Sequence, residues 1–238
     1  MGGLLTGTGT DESLWRSWPT IATWPELPLP TAAPLVVAPH PDDEVLGVGG
    51  LLNLAGAAEV VAVTDGEASH PDSAVHRLED LASIRRAETA EALLRLGLRA
   101  DVHRLGHPDG DIDEDALAAQ LAERLTAGRW CLATWASDGH PDHEAAGRAA
   151  AAACRATNAV LLEYPIWAWH WAEPGDARVP WHRAHRVDLP GEAQAAKARA
   201  VAAFRSQIAA LGPGPGDGPV LPPSVLAKFA RPYEVVFA

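Results

Sequence analysis

The sequence predicts an α/β fold: one domain built on a mostly parallel sheet with helices on both faces. Short continuous apolar runs recur along the chain, the pattern of strands buried on both sides. Stretches of helical length separate them, and strand–helix alternation of this kind winds into a parallel sheet. Two dense polar clusters follow directly on apolar runs, at the strand ends where sheets of this class bind ligands.

Residues 1–33 are punctuated by Trp15, Trp18 and Trp24 and by Pro19, Pro25, Pro28 and Pro30. They read as an irregular arm whose tryptophans dock on a core, with the domain proper over 34–238. Residues 34–38 (PLVVA) form the first buried strand, and the glycine-spaced stretch 45–55 begins a helix. A second strand is expected over 59–64. The segment 76–96 is an amphipathic helix, with Leu78, Leu81, Ile84, Leu93 and Leu96 among many charges and Gly97 as its stop. A strand over 101–105, a helix over 115–127 and a strand over 130–135 follow. The alanine-rich 144–156 is helical, and 159–164 is another strand. Residues 165–181 carry four tryptophans on a loop, and the alternation Trp167, Trp169, Trp171 suits either packing or a substrate cleft. A helix over 191–211, a breaker-rich loop over 212–223 and an edge strand over 231–237 complete the chain. No linker divides it.

The 238 residues carry 19 Lys plus Arg against 31 Asp plus Glu, a net charge of −12. That balance excludes a nucleic-acid grip, which needs clustered cations, and electrostatic adhesion to an anionic membrane. No run approaches the roughly 18 apolar residues of a membrane span. The Gly- and Thr-rich start lacks the basic and apolar regions of a secretory signal, so the expected location is the cytoplasm. Cys131 and Cys154 stand apart from any metal-binding spacing and read as buried thiols.

The chemistry lies in the polar clusters His40-Pro41-Asp42-Asp43-Glu44 and Ser137-Asp138-Gly139-His140-Pro141-Asp142-His143. In each, two candidate ligands stand three apart, His40 with Asp43 and His140 with His143, so each segment can aim two side chains one way. Two histidines and one aspartate make an N/O donor set that suits Zn²⁺ and leaves a fourth position open. Such a site can lower the pKa of water to about 7 and polarise a carbonyl. A neighbouring carboxylate and a second histidine would handle the protons and the oxyanion. The parts needed for metal-assisted hydrolysis of an amide are present. Glu44 reads equally as support for a ligand or as a first-turn carboxylate. His70, His76, His103, His107, His170, His182 and His185 lack ligand spacing and read as surface or packing residues.

The segment Ala38-Pro39-His40-Pro41-Asp42-Asp43-Glu44, followed by Gly47 and Gly49-Gly50, resembles the signature of the PIG-L/LmbE-like deacetylases, and His140-Pro141-Asp142-His143 resembles their second motif. Arg85-x-x-Glu88, Leu105-Gly106-His107-Pro108-Asp109-Gly110 and, more weakly, Phe204-Arg205-Ser206-Gln207 extend the similarity. The resemblance implies a Rossmann-like domain and a zinc-dependent de-N-acetylase of amino-sugar conjugates, with one Zn²⁺ per chain and a small N-acylated molecule as substrate. By matching position, His40, Asp43 and His143 would hold the zinc and Asp42 would be the general base. His140 would stabilise the tetrahedral intermediate or protonate the leaving amine, with Asp142 orienting its imidazole. Arg85 and Asp109 would contact the sugar. One position departs: where some members place a mobile tyrosine, two residues before the first His of the second motif, this chain has Asp138, which shifts oxyanion stabilisation toward His140.

Two rival readings stand beside this one. Gly47-x-Gly49-Gly50 at a helix start and Asp65 after the second strand suit a nicotinamide-nucleotide oxidoreductase, although the spacing is not GxGxxG and the turn is acidic. A non-catalytic binding relative is the other, against which the full set of ligands and base counts.

Overall fold

The computed structural model describes residues 7–73 and 75–238. Residues 1–6, within the stretch read above as lacking a signal and as the start of the arm, lie outside the described residues, as does residue 74. Seven strands form one sheet: β1 (Leu35–Ala38), β2 (Ala57–Ala62), β3 (Arg99–Arg104), β4 (Trp130–Thr134), β5 (Val160–Tyr164), β6 (Ala184–Asp188) and β7 (Tyr233–Phe237). Their order is β3-β2-β1-β4-β5-β7-β6, with β1 to β5 parallel and β7 antiparallel to both its neighbours. The α/β class and the mostly parallel sheet are as the sequence predicts.

Side chains alternate across the strands and build a core on each face. Val36, Leu132 and Leu162 face one cluster, and Leu35, Val37, Cys131 and Ala133 face the other. Among the helices, α1 (Glu12–Ser17) belongs to the N-terminal arm; α2 (Asp43–Ala55) and α3 (Leu78–Leu96) cover the first face together with a later helix. The opposite face is covered by α4 (Glu114–Ala122) and α5 (Pro141–Thr157), whose alanine stripe Ala146, Ala149, Ala150 and Ala153 lets it lie close to the sheet. After α6 (Ala168–Trp171), α7 (Gly191–Val201) returns to pack on α2 and α3, and α8 (Arg205–Ile208) and α9 (Pro223–Leu226) follow. Gly97 ends α3 at φ 74°, the left-handed cap its position in the sequence predicts. Trp15 is fully buried, and its Nε1 donates to the Trp169 carbonyl at 3.1 Å. Backbone bonds from Leu27 N to Arg186 O and from Arg186 N to Pro25 O lay the arm along β6.

Four elements differ from expectation. The strand foreseen at the sheet edge, β7, lies between β5 and β6, and β6 itself is the edge. Of the five residues of β6 only Ala184 and Val187 are buried, so its AHRVD run carries no apolar signature. The helix expected over 191–211 is broken: Glu88 accepts from both Ser206 N (2.8 Å) and Ser206 Oγ (2.7 Å), which starts a new turn at Arg205. Finally, α5 begins at Pro141 rather than 144, so the second polar cluster runs into the helix's first turn.

Helix α2 is interrupted at Val48 (φ −136°, ψ 15°). The bond that would join Gly50 N to Leu46 O is replaced by a buried ion pair inserted into the ladder. Glu234 accepts from Gly50 N (2.6 Å) and Leu51 N (2.8 Å), while Lys197 Nζ donates to Leu46 O (2.8 Å) and pairs with Glu234 at 2.6 Å. Side chains entering the ladder are a recognised cause of kinks. The first turn of α2, which carries Asp43 and Glu44, is thereby held by β7 and α7.

Candidate active site

The strand order reverses between β1 and β4, and the crevice beyond their carboxyl ends is the ligand position of such sheets. His40 follows β1, and His140 and His143 follow β4, so both clusters meet there. Locally, the His40 amide donates to Asp43 Oδ2 at 3.0 Å. Asp42 caps α2 at φ 133°, a conformation that costs a non-glycine residue about 1–3 kcal/mol and is kept only where its surroundings over-determine it. Here they do: Asp42 N donates to Glu44 Oε2 (3.1 Å), and Arg85 Nη2 donates to Asp42 Oδ2 (3.1 Å) and to the Pro41 carbonyl (2.7 Å). On the other side His140 is the N-cap of α5 and accepts from Asp142 N through Nδ1 at 3.2 Å.

Asp43 Oδ2 lies 3.3 Å from His40 Nδ1 and 3.3 Å from His143 Nε2. At metal–ligand distances of about 2.0–2.1 Å, two corners of a tetrahedron stand about 3.3 Å apart. His143 Nε2 is buried without a hydrogen-bond partner, while its Nδ1 donates to Asp138 Oδ2 at 2.8 Å. With the ring neutral, two electron-rich atoms would face each other in the protein interior; a proton on Nε2 or a metal ion between them relieves this, and the residues present fit a metal ion. Asp42, Asp43, Glu44, Asp109, Asp138 and Asp142 supply six carboxylates around this point, against the single guanidinium of Arg85.

The environment sets the proton positions. Burial pushes the Asp42 carboxyl up to about 7 against the pull of Arg85, and lifts Glu44 to about 8. Burial lowers His143, but Asp43 and the Asp138 hydrogen bond outweigh it and raise the ring to about 9. His140 falls to about 3, through burial and then the charges of His143 and His40. A neutral His140 accepting at Nδ1 carries its proton on Nε2, so it is a hydrogen-bond donor without being an acid. Burial would raise Asp109, and the hydrogen bond from His40 instead brings it to about 2.

His40, Asp42, Asp43, His140 and His143 all border one cavity of about 400 Å³, as do Arg85 and Asp109. Asp142 stands differently from expectation. Its carboxylate meets His40 Nε2 (3.0 Å) and accepts from Gly110 N (2.9 Å), and only its backbone amide touches His140. Sitting in the first turn of α5, the side chain points back over the cluster, and it orients His40 with Asp109, whose Oδ1 is 3.2 Å from the same nitrogen. Arg85 is also more committed than its sequence position suggests: Nη1 donates to Gly66 O at 2.8 Å, and Nη2 serves Pro41 O and Asp42.

The residue that sequence reasoning undervalued is Asp138. It is fully buried, and besides His143 it accepts from Ile166 N (3.0 Å), Trp167 N (2.8 Å) and Ala168 N (2.9 Å). Its signal was its place two residues before His140, read there only as a missing tyrosine. The tryptophan alternation resolves into three surroundings. Trp169 packs edge-on to Trp15, Trp171 stacks on Trp135 and donates to Asp138 O, and Trp167 alone borders the cavity. The glycines of the first motif serve packing, since a Cβ at Gly47 would enter the Tyr164 ring and one at Gly50 would enter Leu189. The nucleotide reading thereby loses two of its glycines to side-chain packing.

A cation-binding donor set, a strained carboxylate beside it and a neutral imidazole donor are the equipment of a metal-assisted hydrolase. A model of the PIG-L family, described as GlcNAc-PI de-N-acetylase, matches residues 35–154, half of the chain. The chain belongs to this family and with it to the hydrolytic N-deacetylases, which cut a carbon–nitrogen amide bond. Among solved structures, the conserved protein TT1542 from Thermus thermophilus is 30% identical, with 73% of this chain and 79% of that one covered at a TM-score of 0.53. The A40926 pseudoaglycone deacetylase Dbv21 shares the fold at 22% identity (TM-score 0.60; 86% and 96% covered). So does the N,N'-diacetylchitobiose deacetylase of Pyrococcus horikoshii, at 20% identity (TM-score 0.58; 83% and 76% covered). A search of curated proteins finds no match.

Proposed function

We propose that the protein is a zinc-dependent deacetylase that removes an N-acyl group, acetyl in the first instance, from a small amino-sugar conjugate. The observation that carries this reading is that Asp43 Oδ2 lies 3.3 Å from both His40 Nδ1 and His143 Nε2, the last atom being otherwise unpartnered, while His40, His140 and His143 offer ligand atoms within 4.8 Å of one another. Those three residues would hold the ion, which when bound supplies an activated water and polarises the amide carbonyl.

The chain's own groups do the rest. Asp42, pinned by Arg85 and by its own strained backbone, takes the proton released on attack. His140, neutral, donates an Nε2–H hydrogen bond to the oxygen on which charge develops, and the proton that Asp42 takes on attack is the one that passes to the departing amine. Asp142 and Asp109 both accept from His40 Nε2, which leaves Nδ1 bare for the ion. Asp109 also borders the substrate cavity. Arg85 acts on substrate through Asp42.

Elemental analysis of the purified protein is expected to find about one zinc per chain. Asp42→Asn is expected to keep that zinc and to lose about 10²–10⁴-fold in kcat for amine release from N-acetylglucosaminides, the range of general-base catalysis. A metal-free wild type, or an Asp42→Asn enzyme at full rate, overturns the reading.

A further inference from the structure

The cavity holds about 400 Å³, far more than a reacting acetamide fills. Besides the polar cluster, its lining includes the apolar residues Leu46, Ile166, Trp167, Val220 and Leu221, together with Gln207. Leu46, Ile166 and Leu221 are at most 3% exposed, so this wall is continuous with the core.

Val220 and Leu221 come from the Gly- and Pro-rich loop, and the structure shows how it is held. Leu221 N donates to Gln207 O at 2.8 Å. Asp217, itself 1% exposed, accepts from Gly214 N (3.0 Å) and from Ser73 Oγ (2.6 Å). His70 reaches Gly218 O through Nε2 at 3.1 Å and Ser69 through Nδ1 at 3.0 Å. The loop is therefore tied across the cavity to segment 69–73, and the wall is preformed, as small-molecule sites usually are.

Charge narrows the occupant further. Among the described residues, Arg85 is the one Lys or Arg that borders the cavity. Both its terminal nitrogens are taken by Gly66 O, Pro41 O and Asp42. Away from the metal site, a phosphate or carboxylate placed here would find only the buried Nε of Arg85 without a hydrogen-bond partner, and would stand near Asp42, Asp43 and Asp109.

We infer that the substrate carries an uncharged apolar group of several carbons, aryl or alkyl, seated against Leu46, Ile166, Trp167, Val220 and Leu221, and that anionic amino sugars are rejected. The inference rests on the proposed deacetylase only for the scissile amide. The apolar group can be the aglycone of the sugar or an extended N-acyl chain, and the two arms of one experiment separate them.

The zinc-loaded protein is assayed for amine release from the methyl, hexyl and 4-methylphenyl N-acetyl-β-glucosaminides, from N-acetylglucosamine 1-phosphate, and from methyl β-glucosaminides bearing N-butanoyl or N-octanoyl groups. In at least one arm kcat/KM is expected to rise tenfold or more over the methyl N-acetyl compound, with the 1-phosphate at least tenfold below it. Val220→Lys is expected to bring whichever ratio is raised, hexyl-to-methyl or octanoyl-to-acetyl, to within threefold of one and to raise the 1-phosphate. A panel flat within threefold, or the 1-phosphate as the best substrate, overturns the inference and leaves the deacetylase standing. Calorimetry with the product amines reads the wall without turnover. Hexyl β-glucosaminide binding at least tenfold tighter than the methyl compound, or the N-octanoyl glucosaminide binding zinc-free protein at least tenfold tighter than the N-acetyl one, supports the inference, and equal binding in both comparisons overturns it. Should nothing in the panel be hydrolysed, the proposed function falls while this binding result still decides the wall.

Discussion

Replacing Asp138 by Asn exchanges one oxygen for an NH₂ group and tests how the cation site is kept. The carboxylate accepts four hydrogen bonds: Ile166 N and Ala168 N reach Oδ1, and Trp167 N and His143 Nδ1 reach Oδ2. An asparagine offers one accepting oxygen, so in either orientation its NH₂ faces two donors. With the oxygen toward Ile166 and Ala168, the amide nitrogen opposes His143 and drives that ring to the other tautomer. Its proton then sits on Nε2, the atom that must be bare to bind metal. With the oxygen toward His143, the turn at 166–168 loses its anchor instead. Two bonds to a charged acceptor, at about 1.5–3 kcal/mol each, put the loss of stability at about 3–6 kcal/mol. The metal constant is expected to weaken about 10–100-fold, as for other partners of metal-binding histidines. Zinc titration against a chromophoric chelator measures the second quantity, and thermal unfolding with and without zinc measures the first. An Asp138→Asn protein that binds zinc within twofold of wild type would refute the claim that Asp138 sets the His143 tautomer.

Other perturbations test other parts of the site. His143→Ala is expected to lose both zinc and amine release; full zinc occupancy by elemental analysis would remove His143 from the ligand set. In the metal-free protein His143 is raised to about 9, above its ordinary 6.5, so it is protonated at pH 7 and zinc must displace that proton. Apparent affinity should therefore increase with pH up to about 9, and calorimetry at pH 7.5 in buffers of differing ionisation enthalpy should show proton release; none would contradict the assignment. Gly47→Ala pushes a methyl group into the Tyr164 ring. Overpacking of this kind costs about 1–3 kcal/mol, and at roughly 2–4 °C per kcal/mol for a chain of this size the Tm should fall by several degrees; an unchanged Tm would mean that the ring simply moves aside.

The fold was legible where burial was one-sided in composition. Strands β1, β2, β4 and β5 are nearly all apolar because both faces are covered, and Gly97 marks a helix end because only a left-handed residue closes it. Strand β6 was hidden because three of its five side chains meet solvent, and the place of β7 was hidden because sequence order says nothing about which neighbours a strand takes. At the site, residue types and spacing brought out His40, Asp43, His140 and His143 as candidate donors, and the family resemblance chose among them and gave Asp42 its proposed role. Partnerships were less accessible. That Asp142 serves His40 and not His140, or that Asp138 serves His143, follows from where the first turn of α5 faces, and three residues of sequence spacing do not encode that. The cavity wall was least legible, since Leu46, Ile166 and Leu221 look like any core residue until the loop that carries Leu221 is seen folded over the crevice.

The ion pair set into the break of α2 constrains how this chain can change over generations. Lys197 and Glu234 are 5% and 2% exposed at their side chains and stand 37 positions apart. Losing either leaves the other charged and buried, at a cost of about 3–5 kcal/mol, and also frees the Leu46 carbonyl or the Gly50 and Leu51 amides. Exchange of both for apolar residues would spare the charge and still strand those backbone groups, unless the helix straightened at Val48 and carried Asp43 with it. Positions 197 and 234 are thus expected to change together, and relatives that lack one should lack the other and the kink as well.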